Sequence, residues 1–148
     1  MDVTIVRATG EQVDLVAPLF DQYRQFYEQP PDLPGATAFL RERLDRQESV
    51  IFLAMADTAV GFVQLYPSFS SVRMKPIWIL NDLFVAKEAR RYGVGKRLMD
   101  AALDLARSTG AARLALATAK TNHAARALYL SLGYQLDDVF DHLELSVR

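Results

Sequence analysis

Apolar positions change their spacing midway along the chain. Ile5 and Val6 mark a short strand over Thr4–Ala8, Thr9-Gly10-Glu11 breaks the pattern, and Val13, Val16, Phe20, Tyr23 and Tyr27 then recur at near-helical intervals. The proline-dense stretch Gln29–Gly35 ends that helix, and Phe39, Leu40 and Leu44 predict a second one. Three apolar runs follow without helices between them: Val50–Ala56, Val60–Tyr66 and Ile77–Val85. Asp57-Thr58-Ala59 joins the first two as a hairpin, and Ser68-Phe69-Ser70-Ser71 forms the polar tip before the third. This half predicts antiparallel sheet. Beyond Val85 strands and helices alternate, with helices over 93–108 and 122–132, a strand over 113–118, and strands from Tyr134 onward and over Phe140–Val147. The predicted order is β-α-α-β-β-β-α-β-α-β-β, an α+β (mixed α/β) fold. Its central mixed, mostly antiparallel sheet would have six to seven strands, flanked by about four helices.

Length and composition limit what such a fold does. The 148 residues suffice for one domain, 1–148, and 51% hydrophobic with 24% charged residues is a soluble globular balance. A formal net charge of −1 gives no general attraction for nucleic acid or an anionic membrane, so neither is expected as a partner. No cysteine is present, which excludes a disulfide framework, a thiolate-bound metal and an acyl-cysteine mechanism. His123 and His142 lack metal-ligand spacing, so no metal is expected. The first residues carry no export signal, and the apolar run Val50–Ala56 is far too short to cross a bilayer. A cytoplasmic location is the expectation.

Chemistry concentrates in Arg90-Arg91-Tyr92-Gly93-Val94-Gly95-Lys96, where a strand hands over to a helix with Leu98, Ala102, Leu105 and Ala106 on one face. The first N–H groups of a helix have no intrahelical partner, its dipole is positive there, and glycine lets backbone approach a bulky anion. Arg90, Arg91 and Lys96 add charge beside the same point. A diphosphate would bind well. Alone, two glycines are better read as a softened helix start with solvated arginines. The loop is neither a Walker A motif nor a dinucleotide fingerprint, because Arg90 stands at the former's first glycine and Leu98 at the latter's third.

Arg90, Gly93 and Gly95 do fit the coenzyme A loop Arg/Gln-x-x-Gly-x-Gly/Ala, and a second block, Asn122 to Tyr134, fits Asn-x-x-Ala-x-x-Leu-Tyr-x-x-x-Gly-Phe/Tyr. With both blocks in place, the sequence resembles the GNAT N-acetyltransferase superfamily. One position departs: Arg91 stands where the family often has glycine. The resemblance implies acetyl-CoA as cofactor, without metal, and transfer of its acetyl group to a primary amine by direct nucleophilic attack. A small-molecule amine is the expected partner, whether polyamine-like, aminoglycoside-like or amino-acid-like. A catalytically silent coenzyme A-binding sensor or interaction module, and acetylation of a protein amine, remain alternatives. Family members are often dimers, which leaves a homodimer open.

The same resemblance assigns roles. Backbone groups of Leu83, Phe84 and Val85 would pair with the pantetheine arm; Arg90, Arg91, Tyr92, Gly93, Val94, Gly95 and Lys96 would hold the diphosphate. Asn122 would cap a helix and also bond the pantetheine amides. Tyr129 would be the general acid for the departing thiolate, although spacing alone makes it a core aromatic. Asp82 is the candidate general base or, equally, a structural carboxylate; Asn81 replaces the glutamate of related polyamine acetyltransferases. For the acceptor amine, Tyr23, Tyr27, Glu28, Asp32, Tyr66, Phe69, Trp78 and Asn81 would supply aromatic faces and polar groups; equally, Tyr23 and Tyr27, one helical turn apart, read as core aromatics and Glu28 and Asp32 as solvated charges.

Overall fold

The computed structural model describes residues 1–147. Its elements run β1 (Thr4–Arg7), α1 (Val13–Phe26), α2 (Leu33–Asp45), β2 (Val50–Met55), β3 (Ala59–Ser70), β4 (Lys75–Val85), α3 (Val94–Ser108), β5 (Leu114–Leu116) and α4 (His123–Ser131). Met1–Ala117 form one compact unit, and a smaller unit begins at Thr118.

In the larger unit one sheet has the order β1-β2-β3-β4-β5. The first four strands pair antiparallel, and β5 pairs parallel to β4 through the β4-α3-β5 crossover. One face packs on α1 and α2 through a core containing Val13, Val16, Phe20, Leu40, Ile51, Leu53 and Phe62. Local chemistry sets the helix boundaries. Thr9 and Gln12 close a capping box just ahead of α1, and the Asp32 carboxylate accepts from Gly35 N–H at the start of α2.

β3 runs farther than its apolar pattern, through Pro67 to Ser70, so the hairpin tip lies beyond the predicted one. Its pairing with β2 stops at Leu65, and a proline beyond that point removes no hydrogen bond to β2. The expected count of six to seven strands is corrected to five among the described residues. No strand forms over Tyr134 or Phe140–Val147. Instead, Asp137 Oδ1 accepts from the N–H groups of Val139 and Phe140, both at 3.0 Å, turning the chain where a strand would have begun.

α4 begins where Asn122 Oδ1 accepts from Ala125 N–H at 3.2 Å, and ends in a Schellman motif. There Gly133 N–H bonds Leu130 O and Tyr134 N–H bonds Tyr129 O. Gly133 supplies the left-handed residue, at φ 95°.

Candidate active site

The pairing of β3 with β4 contains one irregularity. Gln64 opposes Asp82 and Leu65 opposes Leu80, so Asn81 is an extra residue on β4. Strict alternation from Ile79, which opposes Tyr66, would put Asn81 and Leu83 on the face packed by α1. The bulge instead aligns Asp82 with Gln64 and Phe84 with Phe62 on that face, where the Tyr23 ring meets both phenylalanines. Trp78 and Leu80 stay on the opposite side, and the Trp78 indole donates to Thr109 Oγ1 at the end of α3. Asp82 therefore reaches the α1 side only because of the bulge.

There it forms the floor of a cavity of about 540 Å³. The walls come from Phe20 and Tyr23 of α1, Tyr27 just past its end, Phe39 of α2 and Tyr66 of β3, with Asn81 and Asp82 from β4. Asp82 is 4% exposed. Its Oδ2 accepts from Gln64 Nε2 at 2.7 Å and its Oδ1 from Asn81 Nδ2 at 3.0 Å, while the Tyr23 hydroxyl bonds the same carboxylate and lies 3.3 Å from the Asn81 carbonyl. Burial pushes the carboxyl above the usual aspartate range, and the hydrogen bonds from Gln64, Asn81 and Tyr23 offset this only in part. The Tyr66 phenol is pushed up to about 12, chiefly by burial and then by the Asp82 charge. It remains a hydrogen-bond donor at any ordinary pH.

The entrance is braced by charge. Asp21, 7% exposed, accepts from Arg24 Nη1 at 2.9 Å and from Asp32 N–H at 3.0 Å, and Arg24 also donates to Pro30 O. This network fixes the proline-rich loop beside the cavity. Glu28 lies outside the lining, in a turn at φ 65°. Phe69 and Trp78 also lie outside it, with Phe69 exposed on the β3–β4 arm.

The coenzyme A-type loop lies at the other end of the same strand segment. β5 pairs only with Trp78–Leu80, so Asn81–Val85 have β3 as their only strand neighbour among the described residues. The outer backbone edge of Leu83, Phe84 and Val85 thus has no strand partner among the described residues, although the Val85 carbonyl accepts from Arg90. A short 3-10 turn, Lys87–Ala89, then leads to Arg91 at φ 69° and Gly93 at φ 76°. A Cβ on Gly93 would meet nothing within 4 Å, so glycine is favoured there by backbone conformation and not by crowding. The first hydrogen bond of α3 runs from Arg97 N–H to Gly93 O, and the N-cap contributes no side-chain acceptor to the preceding N–H groups of Val94, Gly95 and Lys96. Tyr92 is exposed beside them. Lys96 pairs with Asp100 at 3.0 Å, and Arg90 donates Nε–H to Val85 O at 2.9 Å. Uncapped donors, a positive dipole end and adjacent cations suit the diphosphate of coenzyme A.

In the smaller unit, Tyr129 is 8% exposed on α4, with its ring 6.0 Å from that of Tyr134.

Residues 16–134 match the acetyltransferase (GNAT) family. The chain belongs to this family. It is 50% identical to the uncharacterized N-acetyltransferase YhfO of Bacillus subtilis (strain 168) over 98% of each chain. The crystal structure of a probable acetyltransferase superposes with TM-score 0.93 at 45% identity, again over 98% of each chain. The aminoglycoside N-acetyltransferase AAC(6')-Iy in complex with CoA shares the fold, with TM-score 0.79 at 22% identity over 99% of this chain and 96% of that one. The protein is thus a GNAT-type acetyltransferase, and its sheet is the GNAT fold.

Several residues that shape this cavity and its strand are not marked as such by local sequence pattern. Gln64 reads as one polar letter inside the apolar run Val60–Tyr66, yet it is fully buried against Asp82. Asp21 sits within the apolar stripe of α1, a signal that marks it for a buried partner. Gly61 permits a close approach: a Cβ there would lie 3.0 Å from Phe84 O and 3.3 Å from Leu98 Cδ1, so its absence lets the first turns of α3 settle on the sheet beside β4.

Proposed function

We propose that this GNAT acetyltransferase transfers an acetyl group from acetyl-CoA to the primary amine of a small molecule by direct attack. The carrying observation is the buried Asp82 carboxylate, turned by the Asn81 bulge into an aromatic-walled cavity on the same strand segment that offers Leu83–Val85 as an open edge. Acetyl-CoA supplies an activated acetyl thioester. Backbone groups of Leu83, Phe84 and Val85 would align its pantetheine arm as an added strand, and Arg90–Lys96 with the N–H groups at the start of α3 would hold its diphosphate. Asn122 would bond the pantetheine amides in addition to capping α4. The CoA complex of the aminoglycoside N-acetyltransferase neighbour supports this choice of cofactor.

On the acceptor side, Tyr23, Tyr27 and Tyr66 offer electron-rich ring faces to an ammonium, and Asp82 and Asp32 offer negative charge. The volume suits a small ligand. Polyamine-like, aminoglycoside-like and amino-acid-like amines fit these terms. Asp82 takes the proton from the attacking ammonium, for which a raised carboxyl pKa is an advantage. Tyr129 returns a proton to the departing thiolate. The family match runs through both compact units, which supports treating residues 1–148 as one acetyltransferase domain. Calorimetry with acetyl-CoA, followed by free-thiol release with a panel of amines, tests the proposal.

A further inference from the structure

Gln64 makes one bond and forgoes another. Its side chain is 0% exposed in the middle of β3, its Nε2 donates to Asp82 Oδ2 at 2.7 Å, and its Oε1 has no hydrogen-bond partner. A buried acceptor left unpaired keeps its full desolvation penalty. An apolar side chain of similar size would avoid that cost, so core packing alone gives no reason for an amide. The one atom that is satisfied is aimed at the carboxylate of the candidate base.

The two oxygens of Asp82 are held differently. Oδ2 faces the interior amide of Gln64, whereas Oδ1 faces the amide of Asn81, an exposed residue on the cavity wall. We propose that Gln64 is a positioning residue that locks Oδ2 of Asp82 from behind, so that Oδ1 receives the proton of the acceptor amine. This inference rests on the proposed transfer to an amine. When the substrate ammonium gives up its proton, the N–H bond breaks, the proton moves to Oδ1 and the electron pair stays on nitrogen for the attack. Because Gln64 donates to the ionised form, it also keeps the carboxylate available at lower pH than burial alone would permit.

The other groups facing this carboxylate cannot supply the interior contact. Tyr23 of α1 bonds it within the cavity lining, Tyr66 of β3 is a neighbouring phenol that feels its charge, and Asn81 holds the opposite oxygen. Arg24 of α1, the one cation in the lining among the described residues, is engaged by Asp21 and Pro30 O, and Asp32, from the loop before α2, caps that helix.

The test titrates Asp82 directly, by NMR of aspartate labelled with carbon-13 at the side-chain carboxyl, in wild type, Gln64→Met and Gln64→Asn. Methionine keeps the length without a donor; asparagine keeps an amide that falls one methylene short. Loss of a hydrogen bond to a charged group should raise the Asp82 midpoint by about one to two pH units in both variants. The acidic limb of kcat/KM should move up by the same amount, while the high-pH plateau survives. An unmoved midpoint would overturn the proposal, as would loss of the folded state in both variants, which would assign Gln64 to the core. If wild type turns over no amine, the proposed function fails, while the NMR midpoints still decide whether Gln64 controls Asp82.

Discussion

The Arg90 guanidinium folds back to donate Nε–H to the carbonyl of Val85 at 2.9 Å, and lies 5.7 Å from the centroid of the Phe84 ring. The arginine of the coenzyme A-type loop thus latches onto the open strand edge proposed to receive the pantetheine arm. It ties together the loop and the end of β4, with its remaining guanidinium donors available for phosphate.

Arg90→Ala should therefore weaken acetyl-CoA binding about 10-fold or more, the scale of one charge-assisted hydrogen bond. Arg90→Lys should restore only part of it, because an ammonium cannot bond the strand carbonyl and a phosphate in the same forked geometry. Calorimetric Kd values for the three proteins check this. Equal affinities would reduce Arg90 to a structural latch.

Asp82→Asn should separate activity from stability. In the wild type, the native state holds the Asp82 proton more tightly than the unfolded chain does, because the folded pKa is raised by burial. Stability from this group is therefore full below the unfolded pKa and is lost as pH rises through the folded pKa. Above its folded pKa the ionised carboxylate works against folding, so the neutral amide should raise Tm there. The same substitution removes the base and should lower kcat/KM about 100-fold or more. In wild type, kcat/KM should fall as pH drops through the raised Asp82 pKa. Thermal melts at pH 4 and 7, with rates across that range, measure both effects. A lower Tm above that pKa would contradict the burial argument.

Arg91 adopts φ 69°, a left-handed conformation that costs a non-glycine residue about 1–2 kcal/mol. The glycine common at this position in the family has a physical explanation. Arg91→Gly should relieve the strain and raise Tm by about 3 °C, partly offset by the greater freedom of glycine in the unfolded chain. It should also weaken acetyl-CoA binding by removing a charge beside the diphosphate site. A more stable variant with weaker binding is the expected pair of results from a melt and a titration.

The readable parts of the chain were those where one local pattern decides. The 3.6-residue stripes gave α1 and α3, the antiparallel runs gave β2 to β4, and the two glycine- and asparagine-marked blocks located the helix starts at Gly93 and Asn122. The bulge was not readable. An extra residue on one strand is a relation between two strands, and Ile79–Val85 looks equally regular in either register. Gln64 was legible only as a polar letter among apolar neighbours, because its partner lies 18 positions away, and Asp21, although its ion pair with Arg24 is local, gave no sign of its bond to Asp32, 11 positions on. The C-terminal run misled for the opposite reason: Leu143, Leu145 and Val147 alternate as a strand would, yet each is almost fully exposed.

The most direct test of the account is acetyl-CoA binding by calorimetry, then free-thiol release with a panel of small amines, in wild type and Tyr129→Phe. The account predicts that wild type binds acetyl-CoA and that at least one amine drives thiol release, while Tyr129→Phe keeps the binding and loses about 100-fold or more in turnover. Absence of acetyl-CoA binding to the folded wild-type protein would contradict it.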